Sequence, residues 1–170
     1  MTTESAVPEV LHVWNISLRA SEEARRRGDR RTGTDHLVLA LLEDPPMEVA
    51  LGVSLQQARD ALQSLDQEAL GALGMGSGTD APPLPMRAVP KKPTFKAVMK
   101  RDRFRMTPAA KRVLEDAVRP NRRKTQVTDH QVLAQILTLQ RPDPAAVLLD
   151  ALGVSTSEVR RRLDTATPES

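Results

Sequence analysis

Two short segments hold the residues of this chain that are best suited to chemistry. Thr34-Asp35-His36-Leu37-Val38-Leu39-Ala40-Leu41-Leu42 recurs 94 residues later as Thr128-Asp129-His130-Gln131-Val132-Leu133-Ala134-Gln135-Ile136. Each puts a hydroxyl, a carboxylate and an imidazole in consecutive positions ahead of an apolar run. Threonine at that place is an N-cap residue type, and an acid in the first turn complements the positive end of the helix macrodipole. The histidines are not expected to hold a metal: there is no cysteine, and neither His36 nor His130 has a Glu three residues before it. No Gly-x-Ser-x-Gly elbow is present, and Gly74-Met75-Gly76-Ser77-Gly78 lacks the Gly-Lys-[Ser/Thr] that completes a phosphate loop. With no catalytic set and no implied cofactor, the residues point to binding rather than to an enzyme.

The elements that would position these segments are helices. Leu51-Gly52-Val53-Ser54 also recurs, as Leu152-Gly153-Val154-Ser155, so one unit is written twice. The first copy reads as a helix from about Pro8 to Arg27, on the stripe Val10, Val13, Ile16, Ala20 and Ala24, stopped at Gly28. A second helix capped by Thr34 follows, then a short one from Met47 to Leu51. A fourth is opened by Ser54 with Gln57 at capping-box spacing. The second copy starts helices at Thr107-Pro108, Thr128, Asp143-Pro144 and Ser155. The expectation is an all-α protein of about eight helices. Residues 1–70 form a first repeat, 71–105 a Gly/Pro-rich and then basic linker, and 106–170 a second repeat, the repeats packing as one compact domain.

The composition narrows the class. Apolar residues make up 39% of 170, with one Trp and two Phe, so the core must be aliphatic. The absence of cysteine suits a reducing compartment. No 18-residue apolar run occurs, and Met1–Ser5 has no basic start or apolar stretch, so a cytoplasmic protein without a membrane span is expected. The net charge of +3 is unevenly placed: eight Lys/Arg and one acid fall between Arg87 and Arg105, leaving the rest of the chain net acidic.

Glu22-Glu23-Ala24, Gly28, Gly33-Thr34-Asp35-His36-Leu37 and Leu51-Gly52-Val53 resemble the Clp N-terminal repeat carried at the front of Clp-type AAA+ unfoldases, especially the ClpC branch. Thr107-Pro108-x-Ala110-Lys111-x-Val113-Leu114, Thr128-Asp129-His130 and Leu152-Gly153-Val154 resemble it a second time. The resemblance spans about residues 9–70 and 106–166. It implies two four-helix repeats related by a pseudo-two-fold, and a domain that receives protein substrates and adaptors. It also implies phosphoarginine docking at the acid of the repeat motif, which falls on Asp35 and Asp129. The chemistry is coherent: the carboxylate pairs with a guanidinium, while N–H groups of the same helix start accept a phosphate. Thr34, Asp35, Thr128 and Asp129 are thus the candidate ligand residues. Both acids are one methylene shorter than the family's usual Glu, and Val127 stands where the first copy has Gly33.

The ATPase loop of those unfoldases is absent from this sequence, so the implied role is a freestanding N-domain, serving a Clp unfoldase or competing with its own domain. Phe95, Lys96, Lys100, Arg101 and Arg103 form a basic amphipathic stretch that is the candidate partner-binding segment. The alternative is a nucleic-acid-binding protein that uses residues 87–105, with Phe95 and Phe104 as stacking groups.

Overall fold

A computed structural model of the chain describes residues 10–74, 105–119 and 126–166. Phe95, Lys96, Lys100, Arg101, Arg103 and the rest of the basic segment up to Phe104 lie outside the described residues. Among the described residues eight helices run in order: α1 (Val13–Arg27), α2 (Thr34–Leu41), α3 (Pro45–Leu51), α4 (Leu55–Ala72), α5 (Pro108–Val118), α6 (Asp129–Ile136), α7 (Pro144–Ala151) and α8 (Thr156–Ala166). These residues are all-helical apart from two three-residue strands, β1 (Val10–His12) and β2 (Gln126–Thr128). The chain divides into two units, residues 1–61 with 104–170, and residues 62–103. In the second unit the described residues are the distal turns of α4 and the turn after it.

Most helix starts obey the local chemistry of their sequence. Thr107 accepts from the Ala110 N–H at 3.2 Å, with Pro108 in the first turn. Thr128 and Gln131 form a reciprocal capping box, at 3.2 and 3.0 Å. Ser54 and Gln57 form another, and Asp143 caps α7 through the Ala145 N–H at 3.0 Å. Gly52 ends α3 with φ +72°, a left-handed conformation that an L side chain disfavours.

Three starts differ from the sequence reading. The first helix begins at Val13, not near Pro8, because Val10–His12 pair antiparallel with Gln126–Thr128, in the register Val10↔Thr128 and His12↔Gln126. Backbone groups committed to that ladder cannot also serve a helix. The third helix begins at Pro45 rather than Met47: two prolines fit its first turn, where missing N–H groups leave no helical bond unmade. The N-cap of α2 is Gly33, and Thr34 is already helical.

The core is centred on α2, whose eight residues are all buried. It packs against α1, α5, α6 and α7. A helix apolar on every side has to lie inside. Its counterpart α6 buries only Val132, Leu133 and Ile136 along one stripe. Gln131 and Gln135 stand there where α2 has Leu37 and Leu41. Burying a leucine contributes ~1.5–3 kcal/mol, so that exchange decides which copy is central and which peripheral.

The two halves also connect reciprocally. The segment entering α1 pairs with the one entering α6, and Thr32, entering α2, bridges to Met106, entering α5. The first junction is antiparallel and the second parallel, so they match in connectivity but not in strand direction. Arg160 donates to the Leu137 carbonyl at 2.6 Å, and Arg162 to the Ala50 carbonyl at 3.3 Å, so α8 ties down the ends of α6 and α3.

Candidate functional site: two unequal helix starts

The start of α2 is closed. Thr34, Asp35 and His36 are 1%, 7% and 3% exposed. The Thr34 hydroxyl donates to Asp143 Oδ1 at 2.6 Å and accepts from the Ala145 N–H at 3.3 Å. Thr34 therefore serves the start of α7 and not of its own helix. This is why the N-cap assignment shifts to Gly33: the hydroxyl has a partner 109 residues away that local spacing cannot reveal.

Asp35 folds back over the N-cap. A Cβ placed on Gly33 would lie 2.3 Å from Asp35 Oδ1, so glycine there makes room for the carboxylate. His36 closes the arrangement. Its Nδ1 accepts from the Gly33 N–H at 2.9 Å and lies 3.3 Å from Asp35 Oδ1, while Nε2 faces Asp29 Oδ2 at 2.9 Å. Burial pushes the Asp35 carboxyl up. The hydrogen bond and charge of His36, its backbone N–H and the charge of Arg27 outweigh that and leave the group below its ordinary value. Burial likewise pulls His36 down, but the hydrogen bond and charge of Asp35, with those of Asp29, outweigh it and raise the imidazole. The Gly33 N–H favours the neutral ring. The two carboxylates favour the cation more, since charge-assisted bonds are about twice as strong as neutral ones.

The start of α6 is more open. Thr128, Asp129 and His130 are all partly exposed, and Thr128 is engaged with Gln131. Asp129 Oδ1 is itself buried. The carboxylate lies within electrostatic reach of Arg19 on α1. Arg19 bonds Asp44 at 2.6 Å and stands 3.7 Å from Glu43. Burial lowers Arg19, and the Asp44 bond with the charges of Asp44, Asp129 and Glu43 raises it above its ordinary value. The sequence carries Val127 where Gly33 stands in the first copy. The structure treats the two starts differently. It makes one start a structural joint and leaves the other partly accessible.

Sequence reasoning missed the residues that support these starts. Glu23, 1% exposed, receives a two-pronged pair from Arg59 at 3.1 and 2.6 Å, tying α1 to α4. The signal was present: Glu23 falls beside Ala20 and Ala24 on the buried stripe of α1, where an acid needs a partner. Asp29 and Asp143 gave no comparable signal, because their roles depend on distant neighbours. The chain matches no protein-family model, and it has no significant match among curated proteins.

Proposed function

We propose that this chain is a non-enzymatic protein-binding module of the Clp N-terminal type. In this reading two four-helix repeats, related by a pseudo-two-fold, act in the cytoplasm. They capture substrates or adaptors for a Clp unfoldase, or in competition with its N-domain. A phosphoarginine side chain is the candidate ligand, and the receiving residues are Thr128 and Asp129. One observation carries the reading. Two helix starts of matched sequence occupy matched places in the element order, and Thr128-Asp129 stands partly open while its copy is sealed. At the open start, the carboxylate suits a guanidinium, and the first-turn N–H groups that the Thr128–Gln131 capping box does not use suit a phosphate.

The test is titration of the intact chain with a phosphoarginine peptide, and with the same peptide carrying plain arginine. Asp129→Ala should weaken phosphoarginine binding about tenfold, roughly 1.4 kcal/mol. Asp35→Ala should change it far less once the folded fraction is accounted for. Equal binding by wild type and Asp129→Ala removes the site, and no binding by wild type removes the ligand. No helix among the described residues is long and apolar enough to cross a membrane.

A further inference from the structure

The turn between α1 and α2 is crowded with arginine. Residues 25–31 read Arg-Arg-Arg-Gly-Asp-Arg-Arg, five cations and one acid. The macrodipole accounts for Arg25, Arg26 and Arg27 in the last turn of α1. It does not account for Arg30 and Arg31, which lie beyond the helix and are exposed.

The backbone there is firmly held. Gly28, at φ +82°, donates to the Arg25 carbonyl at 3.1 Å, and Asp29 donates to the Ala24 carbonyl at 2.8 Å. The Asp29 side chain is taken by Arg27 and by His36. Thr32 then meets Arg105 and Thr107. Its N–H donates to the Arg105 carbonyl and its own carbonyl accepts from the Thr107 N–H, both at 2.9 Å. Thr32 bridges Met106 in parallel, so Arg31 and Arg105, the residues just before each, lie on neighbouring backbone segments. Thr32 is 4% exposed and points inward, while Arg31 and Arg105 are exposed on the outer side. Backbones so paired run about 4.8 Å apart.

Like charges on neighbouring segments repel one another. Arg30, Arg31 and Arg105 make no ion pair with the described residues to relieve this. A chain of anions laid across the pair would turn that cost into binding energy through bidentate guanidinium contacts. We propose that Arg30, Arg31 and Arg105 form a docking surface for a carboxylate-rich segment of a partner protein. The surface favours an acidic peptide over a nucleic acid. It is a short patch on two loops joined by a parallel bridge, and no exposed aromatic among the described residues offers bases a place to stack. The proposal concerns a different face from the Thr128-Asp129 start and stands without the Clp reading.

The experiment is fluorescence anisotropy of a short labelled poly-glutamate peptide with the full chain at low salt, repeated with a single-stranded oligonucleotide. Three variants are compared with wild type. Arg31→Gln/Arg105→Gln should weaken the peptide at least tenfold. Arg31→Lys/Arg105→Lys, which keeps the charge but not the fork, should recover part of that loss. Arg161→Gln, an exposed arginine of α8, should change it less than twofold. Circular dichroism shows whether each variant is folded, and exposed Gln replacements should leave the spectrum intact. If the double Gln variant binds as wild type does, if Arg161→Gln loses as much, or if the peptide fails to bind wild type, the proposal is overturned. Oligonucleotide binding tenfold tighter than peptide, lost in the double Gln variant, also overturns it and gives the surface to nucleic acid.

Discussion

Gly33 has an ordinary extended backbone, φ −93° and ψ −179°, so its importance is not conformational. It is the space that the Asp35 carboxylate occupies. Gly33→Ala should expel the carboxylate from its place beside His36 and cost about 1–3 kcal/mol, the range for disrupting a buried charge-assisted bond. Urea denaturation measures this. In an Asp35→Ala background the same substitution should cost little, and a cycle without such coupling would rule the steric account out. His36 adds a pH dependence. Its folded pKa lies above the ordinary 6.5, so the stabilisation is fully present below pH 6.5. It is lost as the pH rises from there through the folded value. The urea midpoint should fall over that range in wild type and much less in His36→Gln, whereas a midpoint rising with pH would give the shift the opposite sign. The Gly-Thr-Asp-His string was plain in the sequence. That its glycine serves its own aspartate was not, because the spacing of the residues does not say that a side chain turns backwards.

Caps and stripes were the most legible part of the chain at the level of the helix. Ser54, Thr107, Thr128 and Asp143 open helices where their spacing predicted, because a capping bond joins neighbours in sequence. The misreadings at Val10 and Thr34 share one cause, a partner more than a hundred residues away that outcompeted the local choice. This difference between the threonines can be measured. Thr128→Ala removes an ordinary cap and should cost ~1 kcal/mol. Thr34→Val keeps the buried shape and removes a bond linking two helix starts, which should cost about 1–2 kcal/mol. It should also increase amide exchange at Ala145, at the start of α7. Unchanged exchange there would show that Asp143 caps α7 without help. The unequal burial of α2 and α6 was also written in the sequence, in Gln131 and Gln135.

At the level of the molecule, the doubling and the helical class could be read from the residues. The unequal exposure of the two candidate starts could not, since it depends on which copy sits at the centre. The ties between the halves lead to a further expectation. β1 with β2, Thr32 with Arg105 and Thr107, Thr34 with Asp143, and Arg162 with Ala50 all join residues on opposite sides of positions 75–104. Fragments 1–74 and 105–170, co-expressed as separate chains, should therefore copurify and give the helical spectrum of the parent, while the first alone, with α2 bare, should aggregate. Fragments that fold singly and ignore each other would contradict this. If they reassemble, the protein is in effect an obligate heterodimer whose subunits happen to be translated in tandem, and a protease nick between them would leave it whole.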